Sequence, residues 1–241
     1  MPRFYCPQPL AVGLLIDLPE AVAHHVHVVR LAPGESITLF NGEGGEYTAV
    51  LQTVEKRRAS AEIKAHTARD AELPYAVTVA QALPEASKMD WIIEKAVELG
   101  AAAIQPLAAR RCVVKLSGDR AEKKLAHWQG VIVSACEQSG RNRLAQLAPV
   151  DEFKDWIAQQ DLHRRVILTP RASQSLADWA RHQPPQALTI MVGPEGGFSD
   201  EEENLAVAQG ALPLSMGPRI LRTETAALAA LAALNASWGG M

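Results

Sequence analysis

Apolar positions along the chain fall into two regimes. Up to about residue 70 they alternate with polar ones or gather in short β-branched runs. Ser36 to Phe40 (SITLF) and Glu46 to Val54 (EYTAVLQTV) read as strands, and the Asn-Gly-Glu-Gly-Gly between them as a hairpin loop. Ala59 to Ala65 offers another strand, and Leu18 to Arg30 one short helix. Short strands around one helix predict a compact barrel of a kind suited to RNA. Thr67 to Pro74 (TARDAELP) is polar, charged and closed by a proline, so it reads as a linker. The expected domains are therefore residues 1–70 and 75–241.

From Tyr75 the pattern changes to strands alternating with helices. Strands are expected at 76–83, Ala102–Leu107, Arg165–Thr169, Leu188–Val192 and Leu212–Met216. Helices are expected at Lys88–Leu99, Asp119–Ser139, Asp151–Gln159, Leu176–Arg181, Asp200–Gln209 and Glu224–Ser237. This alternation predicts an α/β domain with a mostly parallel sheet. The last helix carries Leu228, Leu231 and Leu234 at a three-residue period, with alanine around them. It has no obvious solvent face, so it calls for cover on several sides, from its own subunit and from a second copy.

Composition narrows the class. The 241 residues carry 24 Lys+Arg against 27 Asp+Glu, a net charge of −3, which excludes a globally basic nucleic-acid coat or a polybasic anchor. Between Arg110 and Arg143, however, eight basic residues face three acidic ones. Cys6, Cys112 and Cys136 are too few and too scattered for a disulfide framework, and fit a reducing cytoplasm. The start MPRFYCPQPL lacks a signal-peptide pattern, and the longest apolar stretch, Ala226 to Ala236, is too short to span a bilayer. His24, His25 and His27 have no acidic or cysteine companion at ligand spacing, so no metal is expected. The five tryptophans recur within expected helices and read as core or interface rather than as base-stacking platforms.

Ligands of open α/β sheets sit beyond the carboxyl ends of the strands. Three loops leave such ends: Leu168-Thr169-Pro170, Gly193 to Phe198 (GPEGGF), and Met216 to Thr223 (MGPRILRT). In the second, Gly196-Gly197 opens the backbone to close approach, and Ser199 with Glu202 fits a capping box. Glu195 discourages phosphate there and suits hydroxyls or a positive charge. A plain tight turn explains the same glycines. In the third loop Arg219 and Arg222 flank Ile220-Leu221, and Thr223 reads as the N-cap of the last helix, with Glu224 at its positive end.

GPEGGFSDEE followed by MGPRILRTETAAL resembles the RsmE family, 16S ribosomal RNA (uracil-1498-N3)-methyltransferases of the SPOUT class. SKMDWIIEKAVELGA with IQPLAARRCVVK, CEQSGR and the opening PRFY match as well, so the resemblance covers nearly the whole chain. Met216-Gly217 stands where the family has Leu-Gly, Val97 where threonine is usual, and Cys136 where alanine is common.

The resemblance implies an α/β fold: a SPOUT-type knotted methyltransferase domain with a C-terminal trefoil knot, behind a small N-terminal PUA-like β-barrel. It implies S-adenosyl-L-methionine as cofactor, a homodimer, and 16S rRNA, within the 30S subunit, as partner. The cofactor positions it suggests are Leu168, Thr169, Gly193, Pro194, Glu195, Gly196, Gly197, Met216, Gly217, Ile220 and Leu221. Arg222 and Glu224 are the catalytic candidates, one to stabilise an imide anion and one to accept the proton. An Arg222 paired with an acid to brace the dimer is the other reading. The RNA-binding candidates are Arg3, Arg30, Arg110, Arg111, Lys115 and Arg141. Two other functions stay open: a SPOUT enzyme acting on a tRNA ribose, and a ribosome-assembly factor that binds RNA without catalysis.

Overall fold

The computed structural model describes residues 1–161 and 163–240. The chain forms two compact units, Met1–Glu72 with Cys136–Leu144, and Leu73–Ala135 with Ala145–Met241.

The first unit contains β1 (Arg3–Tyr5), β2 (Leu15–Asp17), α1 (Glu20–Val28), β3 (Ser36–Phe40), β4 (Glu46–Val54) and β5 (Ala59–Thr67). They make one sheet in the order β1-β3-β4-β5-β2. Register shifts between β4 and β5 at Thr48/Ala49 and Leu51/Thr53 bend the sheet, as bulges do. Val22, Ala23 and Val26 of α1 pack into a core with Ile37, Leu39, Ala49, Leu51 and Ile63. The helix is shorter than its apolar pattern suggests. Pro19 stands at its N-cap, and just past its end Arg30 takes the left-handed conformation (φ 60°), which ends helical geometry. His24, His25 and His27 lie on its exposed side, and the His25 ring meets the edge of Phe4.

Residues 136–144, expected within the second domain, cluster with the first unit instead. The reason is hydrogen bonding far along the chain. Tyr5 N–H donates to Glu137 (2.9 Å), and Asn142 Nδ2 donates to the Arg69 carbonyl (3.0 Å).

The second unit runs β6 (Val77–Ala82), α2 (Lys88–Glu98), β7 (Ala103–Ala108), α3 (Gly118–Ser139), β8 (Gln146–Leu147), β9 (Asp151–Glu152) and α4 (Phe153–Ala158). It continues with β10 (Arg164–Leu168), α5 (Leu176–Arg181), β11 (Leu188–Val192), α6 (Asp200–Ala208), β12 (Leu212–Leu214) and α7 (Thr223–Trp238). The sheet order is β12-β10-β11-β6-β7-β8, with β9 also on β7, and every pair is parallel. β11 (LTIMV) is buried at all five positions, as a central parallel strand covered on both faces must be. Asp151 and Glu152, expected to begin a helix, instead pair with Leu107 and Ala108 of β7.

Chain order and sheet order disagree. β7 and β8 extend the sheet to one side of β6, whereas β11, β10 and β12 lie on the other. The carboxyl ends of β10, β11 and β12 thus sit side by side. α7 closes over the unit: Ala227, Ala230, Leu231, Leu234 and Trp238 are buried. The Trp238 indole donates to the carbonyls of Ala180 (3.0 Å) and Gln183 (3.1 Å), and Asn235 donates to that of Leu99 (2.8 Å). Among the described residues no helix is long and apolar enough to cross a membrane.

Candidate functional site

The three loops at those strand ends enclose a cavity of about 230 Å³. Leu168, Thr169 and Pro170 line it from β10, the run Val192–Gly197 from β11, and Met216, Arg219, Ile220, Leu221, Thr223 and Ala226 from the β12–α7 connection. Ten of the positions suggested for the cofactor are therefore walls of one cavity: Leu168, Thr169, Gly193, Pro194, Glu195, Gly196, Gly197, Met216, Ile220 and Leu221. Gly217 is not a wall; it makes the left-handed turn beside Met216 (φ 91°). Pro170, Val192, Arg219, Thr223 and Ala226 complete the lining.

Gly193 is the tightest point. A Cβ there would lie 2.7 Å from the Phe198 nitrogen and 2.9 Å from the Gly197 Cα, so only glycine lets the loop fold back on itself. Gly197 needs the left-handed region (φ 68°), and its N–H donates to the Pro194 carbonyl (2.8 Å). A Cβ at Gly196 would instead meet Arg111 Cδ at 3.3 Å. The capping box is present: Ser199 N–H donates to Glu202 Oε2 (2.8 Å) and Glu202 N–H to Ser199 Oγ (3.3 Å).

Thr223 is not the N-cap of α7; Arg222 occupies that position and no side chain caps the helix. The Thr223 hydroxyl is drawn inward, because two better partners are within reach. It donates to the Gly193 carbonyl (2.6 Å) and accepts from Gln81 Nε2 of β6 (2.9 Å). Three segments far apart in sequence are locked together at the cavity floor. Gln81 Oε1 is buried there without a partner.

Glu195 lines the cavity, but its carboxylate is already engaged by Lys88 Nζ (2.5 Å) and Glu85 N–H (3.1 Å) of the β6–α2 connection. Burial pushes its pKa up, but the hydrogen bond from Lys88 and the backbone donors prevail and hold it below the usual carboxylate range. Lys88 is shifted the opposite way, upward, by its bond to Glu195 and by the nearby charge of Glu224. Glu224 itself keeps one carboxylate oxygen, Oε2, buried with no partner. Arg222 is exposed, and no ion pair engages it among the described residues.

The basic residues divide. Arg141 is no surface cation: its side chain is 4% exposed, and its guanidinium grips the Glu72 carboxylate, with Nε 3.0 Å away. Arg3 is 15% exposed and paired with Glu46. Arg111 turns onto the glycine loop, donating to the carbonyls of Gly196 (2.7 Å) and Phe198 (3.1 Å), so it braces the cavity wall. Arg110 is exposed and paired with Glu201, while Arg30 and Lys115 are exposed. Acids elsewhere also answer the basic stretch, since Asp90 takes Lys124 and His127. All three cysteines are buried, and burial raises the Cys6 thiol to about 11 and that of Cys112 as well, so neither of these two is poised as a nucleophile. Among the described residues no cluster of three metal-ligating side chains occurs.

Residues 71–235 match the family described as RNA methyltransferase domain, and residues 18–64 the one described as RNA methyltransferase PUA domain. The fold and site thus define a class: an RNA methyltransferase of the SPOUT type with a PUA-like N-terminal unit. The ribosomal RNA small subunit methyltransferase E of Bacillus subtilis is 36% identical over 223 residues, 90% of this chain and 87% of that one. A crystal structure of the same enzyme from Neisseria gonorrhoeae, bound to S-adenosyl methionine, superposes with a TM-score of 0.92 at 42% identity, covering 99% of this chain and 98% of that one. A putative methyltransferase from Legionella pneumophila, also solved with this cofactor, gives 0.93 at 39% identity over 98% and 97% of the two chains. The chain belongs to the ribosomal RNA small subunit methyltransferase E family.

Proposed function

We propose that this protein methylates small-subunit ribosomal RNA, using S-adenosylmethionine, at N3 of the uridine that corresponds to position 1498 of 16S rRNA. The observation that carries the reading is the single cavity formed by the three strand-end loops, in a chain whose relatives were crystallised with that cofactor. The residues fit the group. Leu168, Met216, Ile220 and Leu221 offer apolar walls to a purine, and the loop backbone offers polar groups to the ribose and amino-acid ends. When bound, the cofactor supplies a methyl group on a sulfonium, a leaving group that needs no metal.

The protein's own task is positioning and proton removal. Glu224 takes the imide proton from N3 through the carboxylate that it contributes to the wall of an open pocket beside Lys88. Arg222, a fixed positive charge at the start of α7, stabilises the imide anion. Arg30, Arg110 and Lys115 serve the RNA backbone. The enzyme works in the cytoplasm as a homodimer on the 30S subunit. Transfer of labelled methyl groups from S-adenosylmethionine to small subunits from a deletion strain tests the reading. The expected product is one 3-methyluridine per 16S rRNA, found by mass spectrometry of nuclease digests. Label at a ribose, or none at all, overturns it.

A further inference from the structure

Four of the five tryptophans are core residues, Trp128, Trp156, Trp179 and Trp238, between 2% and 7% exposed. Trp91 differs: it is 45% exposed, on the first turns of α2. It lines an open pocket of about 410 Å³ together with Ser87, Lys88, Glu224 and Thr225. The pocket adjoins the cavity described above, since Lys88, one of its walls, is ion-paired at 2.5 Å to Glu195, a wall of the other. Ala86, just before α2, is held in the left-handed region (φ 51°), a conformation that is unfavourable for a residue with a Cβ and that persists where the surroundings impose it.

The chemistry of these walls is specific. Uracil presents an N3–H donor flanked by two carbonyl acceptors. The pocket offers the complement: the Glu224 carboxylate as acceptor, with the Lys88 ammonium and the Ser87 and Thr225 hydroxyls as donors around it. Cytosine, whose N3 is an acceptor beside an amino donor, would set its N3 lone pair against that carboxylate. An exposed indole beside such a polar edge matches how enzymes hold a base taken out of its stack.

We infer that the Trp91 pocket receives the target uracil, with the Trp91 indole stacking on the ring and Glu224 reading N3–H. The inference rests on the proposed methylation of a uridine and adds where the base sits and why it must be uracil. Trp91 and Glu224 thereby carry separable parts of recognition. Stacking is indifferent to base identity, whereas the carboxylate discriminates.

The test uses small subunits reconstituted with uridine or cytidine at the target position. Binding is measured with S-adenosylhomocysteine present, so that no methyl is transferred. The wild type is expected to prefer the uridine particle. Trp91→Ala should weaken binding of both particles about tenfold, within the range for one lost base stack, and Trp91→Phe should restore most of it. Glu224→Gln should bind both particles alike, because an amide can turn either its oxygen or its NH₂ to the base. Trp91→Ala with unchanged affinity, or Glu224→Gln that keeps the uridine preference, overturns the inference. So does a Trp91→Ala protein whose lost affinity follows a halved mass in light scattering, which would assign the indole to a subunit contact. A wild type that transfers no methyl to the uridine particle overturns the proposed reaction itself, and is recognised without any variant.

Discussion

A side chain at Gly193 has nowhere to go. Its Cβ would press on the backbone of Gly197 and Phe198 at 2.7 to 2.9 Å, and backbone cannot rotate aside as a side chain can. Gly193→Ala is therefore expected to cost about 1–3 kcal/mol, as overpacking does. It should also lower affinity for S-adenosylmethionine at least tenfold, read by calorimetric titration and a thermal melt. Gly210→Ala is the control: its glycine is left-handed (φ 86°), unlike Gly193, but a Cβ there meets nothing within 4 Å and it lies off the cavity wall, so cofactor affinity should not change. Arg111 makes a second residue-level case, because its charge hides a structural role. Its guanidinium holds two carbonyls of the glycine loop, whereas neighbouring Arg110 pairs with Glu201 at the surface. Arg111→Ala should weaken cofactor binding severalfold while Arg110→Ala leaves it unchanged. Equal effects in titration would show that the bracing contributes nothing.

At the scale of elements, the lock between β6, β11 and α7 passes through one hydroxyl. Thr223→Val keeps the shape but strands the Gly193 carbonyl, which the hydroxyl satisfies at 2.6 Å, and takes from Gln81 Nε2 the acceptor at 2.9 Å that it holds besides the Ala82 carbonyl (2.8 Å). Leaving buried polar groups unpaired costs about 1–3 kcal/mol, which a urea midpoint will report, and Thr223→Ser should recover most of it. This lock also marks where sequence reasoning stops. Long periodic elements such as α2, β11 and α6 were legible, and so were the loops that end strands, because hydrophobic period and glycine spacing are local signals. β1, β2, β8 and β9 span only two or three residues each, too few for a period to exist. The sequence around Thr223 points to a cap because capping is a local habit of threonine. Its true partners are 30 and 142 residues away. Arg141 read as surface charge for the same reason, its partner Glu72 being 69 residues off. The knot and the cofactor came from resemblance and from no local signal. Trp91, grouped with its four buried counterparts, is set apart only by an exposure that sequence does not record.

For the whole molecule, the last helix raises the question of what covers it. Within the subunit α7 buries Ala227, Ala230, Leu231 and Leu234. Leu228, Ala229, Ala232 and Ala233 stay half-exposed, and Thr225 and Ala236 are exposed. Positions 229, 232, 233 and 236 follow one another at helical spacing, so these alanines form a single stripe of small apolar side chains, distinct from Thr225, which lines the Trp91 pocket. A stripe of alanines on a helix with no basic residue in its last turn is a poor solvent face and a good surface for close helix approach. The proposed two-fold dimer places it against a second copy. Ala232→Arg puts a long cation at the middle of the stripe without entering the subunit core, unlike a substitution at Ala230, which is fully buried and would unfold the chain. The variant should melt near the wild-type temperature yet scatter light as a monomer, while the wild type at micromolar concentration scatters with twice the chain's mass. Methyl transfer should fall with the dimer and recover as protein concentration rises, because association is governed by mass action. A wild type that is monomeric at that concentration and still methylates small subunits would leave the stripe without its partner and remove the dimer from the mechanism.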